Sequence, residues 1–568
     1  MKLSEHIGRL FVKANVPLFV FLLLLIIPNI MLGFTEGMPA AVAVLNVLLP
    51  LAVYYLLLTL TRRFGLSIWL FFPIIFLDAF QIVLLWLYGR SVIAVDMFLN
   101  LVTTNVGEVN ELLSNMLPSI AIVVVLYVPA LVFGVWLMHR HIEISHEALR
   151  IHRRRALWTL GASLALLLVI LFTSIPFSFV RDIFPVNAVD NACLAVRHSI
   201  KTDRHSDLSA GFTFNAKADS TQTPEVLVMV IGETSRADHW QLNGYDRQTT
   251  PRLASDSLSG HLRSFPWAIS ESNTTHKSVP LMLSHLTPET YGDSIYVVKS
   301  LLSAFREAGY QTAFFSCQRH NRSFIDFFGE EADTTLFVRE PDGLGLTDAN
   351  DLTLLSCLDG MLRTRDRQRP LLVVLHTYGS HFSYRDRYPA SMRRFVDDSY
   401  SEINAENRSR LIDGYDNTIV MTDSLLAGIV SRLKGLDAAM IYTSDHGEDI
   451  LDDTRGLFLH ASPCPTIYQV HVPLVVWESD LYTRRRPEAA AALDANRSKR
   501  VSSNTSYAAT ALDLGGVTTP RLGRRHSLIN PAYEPAPRLY LNDHNNAVKL
   551  EESGFTDDDM VILSKFPR

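Results

Sequence analysis

The 568-residue chain is 48% hydrophobic and 19% charged, with 28 Gly, 26 Pro and 4 Cys. That composition excludes a disordered chain, a collagen-like repeat and a small disulfide-built scaffold, and the length calls for more than one domain. Its 52 basic and 58 acidic residues leave a formal net charge of −6, so there is no general electrostatic reason to bind nucleic acid. The apolar residues crowd into the first third, which joins a membrane part to an ordinary globular part.

Five stretches before residue 180 are long and apolar enough to cross a bilayer, which takes roughly 20 residues of helix. They are Val16–Phe34, Ala40–Leu60, Phe64–Leu87, Leu117–Met138 and Ala156–Pro176. Five in succession do not suit buried core helices, and the second run follows the first too directly for a cleaved signal peptide. Lys2, Arg9, Lys13, Arg62, Arg63, Arg140, Arg150, Arg153, Arg154 and Arg155 fall in alternate loops, with Arg90 the one clear basic residue in the others. Cytoplasmic loops keep Lys and Arg, so the N-terminus is expected inside and everything after the fifth span outside.

Between the third and fourth spans, Asp96–Leu117 reads as an amphipathic helix. Met97, Leu101, Leu112 and Met116 suit a membrane surface, while Asn100, Thr104 and Glu108 recur at i, i+4 and i+8 on another face. That polar row fits a ligand face or a plain solvated one. Beyond the fifth span, Asp182–Val196 suits a helix lying on the membrane, and Arg197–Pro224 a polar connector.

Apolar β-rich runs then alternate with helical periodicity. Glu225–Ile231, Thr312–Phe315, Leu371–Leu375, Ala438–Thr443 and Val472–Trp477 read as buried strands, with helices across Val298–Ala308 and Asn417–Leu433. The alternation predicts an α/β sandwich around a largely parallel sheet, in which reacting groups gather beyond the carboxyl ends of the strands. Three such ends carry Glu233-Thr234, the run His376–His381, and Ser444-Asp445-His446-Gly447-Glu448. Oxygen and nitrogen donors of this kind suit zinc. His471, at the head of its strand, reads instead as a structural hydrogen-bonding residue. A metal near Thr274–Pro280 would lower the pKa of a threonine hydroxyl and make it a nucleophile, and the helix start there offers N–H groups to a phosphate.

The run Ile231-Gly232-Glu233-Thr234-Ser235-Arg236-Ala237, continuing through Asn243-Gly244-Tyr245 to Thr250-Pro251, resembles the signature of bacterial phosphoethanolamine transferases, five-span inner-membrane enzymes with a sulfatase or alkaline-phosphatase-like domain. Thr275 five residues before Pro280, His376–His381, Tyr415-Asp416-Asn417-Thr418 and Ser444–Glu448 follow in the matching order. The resemblance implies a zinc held by Glu233, Thr275, Asp445 and His446, with Thr275 as nucleophile. It implies substrate-phosphate roles for His381 and His460, a lipid-headgroup site at Asn100, Thr104 and Glu108, and outer substrate contacts at His320 and Arg322.

The expected architecture is therefore a transmembrane domain over 1–177, a bridging helix and linker over 178–223 and a periplasmic catalytic domain over 224–568. The expected activity takes phosphoethanolamine from phosphatidylethanolamine to lipid A, lipopolysaccharide core or a periplasmic glycan, through a phosphothreonine. A phosphoglycerol transferase of the same superfamily and a non-catalytic envelope protein on this fold are the alternatives; a plain sulfatase is more distant. The chain departs from the pattern in His276 and Lys277, which stand where smaller or neutral residues are usual beside the nucleophile, and in its cysteines. Family members carry cysteine pairs beside the nucleophile, where this chain has Glu271 and Leu281, and Cys193, Cys317, Cys357 and Cys464 are widely spaced with three pairings open.

Overall fold

The computed structural model describes residues 16–103, 117–340, 343–346, 349–400 and 402–567. The described residues fall into two compact units, one comprising 16–101 and 117–197, the other centred on 198–567.

Among the described residues of the first unit, four helices are long and apolar enough to span a membrane: Val16–Thr35, Ala40–Leu58, Leu117–His139 and His146–Phe172. The expected third span is two helices, Phe64–Leu70 and Phe72–Tyr88, bent by 54°. Pro73 causes the break, because it has no N–H to give the carbonyl one turn back. The fifth begins well before Ala156, since the Ser145 hydroxyl accepts from Ala148 N at 3.2 Å and caps it. Arg150, Arg153, Arg154 and Arg155 consequently ride on its first turns instead of in a loop. The expected surface helix is present as Val95–Thr103, with Asn100 half-buried on it. Met97 is buried against Leu84, Tyr88 and Phe184 instead of facing a membrane surface, and Thr104 and Glu108 lie outside the described residues. The bridging helix runs Val186–Asp203, further into the expected connector than the sequence suggested.

Polar ties cross this apolar unit where hydrocarbon could not satisfy them. Asn29 Nδ2 donates to Asn46 O at 2.8 Å and to Phe184 O at 2.7 Å, and Phe184 N donates to Asn46 Oδ1 at 2.9 Å. Small residues set the closest backbone approach. A Cβ on Gly65 would stand 2.5 Å from the carbonyl oxygen of Gly134 on the helix Leu117–His139.

The second unit is built on a seven-stranded sheet. Its strands are β1 (Val226–Gly232), β2 (Leu262–Ser264), β3 (Gln311–Ser316), β4 (Thr334–Phe337), β5 (Leu371–His376), β6 (Ala438–Ser444) and β7 (Leu474–Glu478), in the order β2-β7-β6-β1-β5-β3-β4. The five strands from β6 to β4 pair in parallel, while β7 and β2 add an antiparallel edge. All five strands expected from the sequence are therefore in one sheet, and β7 is the antiparallel one. Every residue of β1, β5 and β6 is buried, which is what a sheet covered on both faces requires. Leu227, Met229 and Ile231 join a core with Tyr507, Ala508 and Ala511 of the helix Ser503–Leu514, so the alternate residues of β1 face the other layer. None of the four cysteines is in a disulfide.

Gly65→Leu is expected to force the helices Phe64–Leu70 and Leu117–His139 apart at a cost of about 1–3 kcal/mol. Calorimetry of the detergent-solubilised chain should show the transition of the first unit lowered by at least about 3 °C with that of the second unchanged. An unaltered first transition would mean that this glycine contact does no packing.

Candidate active site

The parallel register brings three strand ends together. Gly232 pairs with Ser444 and Ile231 with His376, so Glu233 follows β1 beside Asp445 and His446, which follow β6. Asp445 N donates to Gly232 O at 3.0 Å, which extends the ladder by one bond into the site. Thr234 then turns the chain sharply at φ 59°, an unfavourable conformation for a β-branched residue. It is held from several sides. The Tyr415 hydroxyl donates to Thr234 O at 2.7 Å and accepts from Arg236 N at 2.9 Å, and Thr234 N donates to Asp445 Oδ1 at 3.1 Å.

Thr275 arrives from another direction, as the first residue of the helix Thr275–Met282. One turn along, the Ser278 hydroxyl donates to Asp445 O at 2.6 Å, and Asn504 Nδ2 donates to Ser278 Oγ at 2.6 Å. Ser270 Oγ also donates to Asp445 O. Glu271 accepts from Thr505 N at 2.7 Å and Thr505 Oγ1 at 2.9 Å, tying the approach to this helix to the helix Ser503–Leu514.

Four donors converge. Thr275 Oγ1 lies 3.0 Å from His446 Nε2 and 3.2 Å from Glu233 Oε2. His446 Nε2 lies 3.3 Å from Asp445 Oδ2 and 3.5 Å from Glu233 Oε1. A tetrahedral zinc with ligands at about 2.0 Å holds them about 3.3 Å apart, so these separations are those of a ligand shell. The tautomer agrees: His446 Nδ1 lies 2.9 Å from Gly447 O, an acceptor only, which places the proton there and leaves the Nε2 lone pair facing the other donors. Asp445 Oδ1 accepts from Thr234 N and His446 N, whereas its buried Oδ2 takes no hydrogen bond among the described residues. These residues fit a dication. His460 joins them, since ligand atoms of Glu233, His446 and His460 all lie within 4.8 Å of one another.

Around this cluster the site is rich in imidazole. The His460 ring lies 4.2 Å from that of His446 and 5.9 Å from that of His381. Burial holds both His460 and His381 well below the ordinary histidine pKa, with Arg387 adding to the effect at His381. Both rings are therefore neutral near pH 7. His381 also stacks on Tyr378 at 5.2 Å, and the Arg339 and Arg387 guanidiniums lie 4.2 and 4.1 Å from the Tyr378 ring.

His320 and Arg322 are not part of this cluster. Both are exposed; His320 packs its ring 3.7 Å from that of Phe337 and sets Nδ1 3.4 Å from Asp326. The residue of that segment that reaches the site is Gln318, whose Nε2 donates to Glu233 Oε2 at 3.0 Å. The rule of strand ends points to it, since it is the second residue beyond β3. Gly379 has no such signal: it sits at φ 52°, where a Cβ would be 2.4 Å from Glu233 O. Glu448, buried and accepting from the Tyr384 hydroxyl at 2.9 Å, sets Oε1 3.6 Å from His460 Nδ1. His471 hydrogen-bonds Pro266 O at 2.7 Å, the structural role its position suggested.

Fold and site together define a membrane-embedded protein whose soluble C-terminal α/β domain gathers, at its strand ends, carboxylate, imidazole and hydroxyl groups spaced to fit a metal ion. The Sulfatase family profile matches residues 225–517, and the chain belongs to that family. Phosphoethanolamine transferase EptA of Escherichia coli (strain K12) is 29% identical over 314 residues, 54% of this chain and 56% of that protein. The chain thus aligns with about half the length of the curated relatives it matches. Integral membrane protein lipooligosaccharide phosphoethanolamine transferase A (EptA) from Neisseria meningitidis superposes with a TM-score of 0.71 at 21% identity, covering 91% of this chain and 99% of that one. The apolar helices and the sulfatase-like domain therefore share that protein's fold. The periplasmic domain of EcEptC from Escherichia coli, solved in complex with Zn, superposes with a TM-score of 0.53 at 22% identity, covering 60% of this chain and 96% of that one.

Two measurements follow. Gly379→Ala should push Glu233 out of place and lower metal occupancy at least tenfold, measured by elemental analysis of the purified chain; full occupancy would show that the loop yields freely. Burial, with the Asp445 charge alongside, pushes Glu233 up to about 7, and burial pushes Asp445 up to about 7. Below that pH a cation must displace carboxyl protons, so apparent affinity should fall as pH drops, by up to about 100-fold per unit for two protons, and level off above it. Chelator competition from pH 5.5 to 8.5 checks this, and a flat profile would overturn it.

Proposed function

We propose that the protein is a bacterial inner-membrane transferase, N-terminus cytoplasmic and catalytic domain (224–568) periplasmic, that moves phosphoethanolamine from phosphatidylethanolamine to a lipid A, lipopolysaccharide-core or glycan acceptor. The orientation is supported by the crowding of Lys and Arg into alternate connections between spans, including the first turns of the helix His146–Phe172, and the group transferred by the names of the curated relatives. The observation that carries the reading is the set of donor separations, 3.0 to 3.5 Å, with a threonine hydroxyl as one member. In this reading Glu233, Asp445, His446 and Thr275 hold zinc, which supplies a Lewis acid that lowers the pKa of the Thr275 hydroxyl and offsets charge on the phosphoryl oxygens.

The chain's own groups do the rest. Thr275 Oγ1, having given up its proton, forms a bond to the lipid phosphorus. The bond from phosphorus to the glycerol oxygen breaks, and diacylglycerol leaves with a proton. The resulting phosphothreonine is attacked by an acceptor hydroxyl or phosphate, and Thr275 regains a proton as its bond to phosphorus breaks. His381 and His460, kept neutral by burial, donate N–H groups to phosphoryl oxygens and add no positive charge that would repel zinc. Arg339 and Arg387 hold positive charge beside them. Asn100, Thr104 and Glu108 take the donor headgroup, with Glu108 pairing the ammonium.

In vesicles containing both lipids, the protein should release diacylglycerol from phosphatidylethanolamine and not from phosphatidylglycerol. Thr275→Ala should lower that release by on the order of 10³-fold or more while membrane insertion persists. Intact-mass analysis during turnover should find phosphoethanolamine on Thr275. An adduct on Thr234 or Thr274, or release from phosphatidylglycerol, would overturn the reading.

A further inference from the structure

The second unit contains another cavity, of about 630 Å³, that shares no residue with the cluster around Thr275. Its volume falls within the usual range for small-molecule sites, about 300–1,000 Å³. One wall starts just past Met282, where the helix headed by Thr275 ends, and carries His285, Thr287, Glu289 and Thr290. The segment bearing Arg521 and Arg525 forms a second wall, and Phe212 from the connector lies between them.

The aromatic and cationic groups here are stacked. The Arg521 guanidinium lies 4.9 Å from the Phe212 ring, and Phe212 stacks on His285 at 5.5 Å with the planes 22° apart. Arg521 Nε donates to Thr213 O at 3.4 Å, and Arg525 Nε donates to His526 Nε2 at 2.9 Å. Among the described residues, neither guanidinium pairs with a carboxylate. Arg524 is the contrast, because it pairs with Asp513 at 2.6 Å and does not line the cavity. His285 Nδ1 is buried with no hydrogen-bond partner among the described residues. Burial, with Arg521 nearby, pushes the His285 pKa down to about 4, so its ring is neutral at pH 7.

Two guanidiniums without carboxylate partners suit a phosphate, which they can engage through paired N–H groups. A bare phosphate would leave most of 630 Å³ and the other wall unused. Glu289 and the hydroxyls of Thr287 and Thr290, 3.3 Å apart, offer donors and acceptors to sugar hydroxyls. We propose that this cavity binds a phosphorylated sugar, its phosphate on Arg521 and Arg525 and its hydroxyls on the Glu289 wall. The proposal rests on the transferase reading only for the sugar's source, the headgroup of a glycolipid acceptor as opposed to a soluble sugar phosphate.

Titration calorimetry of the full chain in detergent micelles tests it with glucose 6-phosphate, glucose and inorganic phosphate, on the native protein and on Asp445→Asn. Glucose 6-phosphate is expected to bind both proteins alike and at least tenfold more tightly than glucose or phosphate alone. Arg521→Ala with Arg525→Ala should weaken binding at least tenfold while hydrolysis of a small soluble phosphodiester stays unchanged. Glu289→Gln, a gentler change, should weaken it at least threefold with thermal stability retained. Binding that survives the arginine substitutions, that disappears in Asp445→Asn, or that phosphate alone matches would overturn the proposal. Repeating the titration with a phosphorylated glycolipid in nanodiscs decides the source: at least tenfold tighter binding identifies the lipid headgroup, equal binding the soluble sugar, and both support the site. If phosphoethanolamine transfer were absent altogether, the transferase reading would fall and these isotherms would still stand or fail by themselves.

Discussion

Two buried carboxylates, a buried imidazole and a half-buried hydroxyl lie 3.0 to 3.5 Å from their neighbours in one cluster, and the rest of the second unit is arranged around that fact. Without a cation the arrangement is unfavourable. Burying one unpaired carboxylate costs several kcal/mol, and a second beside it adds repulsion. The upward shifts of Glu233 and Asp445 express this cost, because protonation is the remaining escape. A dication reverses the sign of each interaction at once. The neighbouring chain is consequently built to prevent the donors from relaxing apart, through the strained turn at Thr234, the glycine against Glu233, and the hydroxyls that bind Ser278 and Ser270 to the Asp445 carbonyl.

The parts of this site that could be read from the sequence are those fixed by strand direction. Glu233, Asp445 and His446 follow parallel strands paired in register, so the alternation of apolar runs with helical periodicity already places them at one edge. Thr275 needed the family resemblance to distinguish it from Thr274. His460 follows the two-residue strand Phe458–Leu459 outside the main sheet, with left-handed backbone at Leu459 and Ala461 on either side, and no periodicity marks such a turn. Gln318 stands at a strand end that the same rule covers, yet an amide is neither charged nor a favoured zinc ligand, so it carries no chemical flag. In the apolar unit, hydropathy located the spans and missed their ends, because a proline break at Phe71 and a serine cap at Ser145 are local hydrogen-bonding events that a window of hydrophobicity averages away.

The departures from the family pattern have a physical counterpart. Where the resemblance leads one to expect a cysteine beside the nucleophile, Glu271 is buried and holds Thr505 through two hydrogen bonds. Its neighbour Asn504 contributes a second tie, accepting from Glu271 N at 2.7 Å and donating to Ser278. A disulfide would fix two points of the chain chiefly by restricting its unfolded states. The polar network instead fixes the helix Thr275–Met282 against both the helix Ser503–Leu514 and the Asp445 carbonyl, so it positions the hydroxyl relative to the carboxylates directly.

That distinction bears on how the two ends of the short helix Thr275–Met282 are used. Its first residue is locked into the donor cluster by groups that leave it no freedom to move without breaking several buried hydrogen bonds, each expensive to leave unmade. Its far end lies three residues before His285, where the first wall of the cavity lined by Arg521 and Arg525 begins. The helix, about 12 Å long at 1.5 Å per residue, sets the spacing between the nucleophile and the start of that wall. The cavity shares no residue with the donor cluster, so a sugar phosphate held on Arg521 and Arg525 leaves the chemistry at Thr275 to the cluster's own groups.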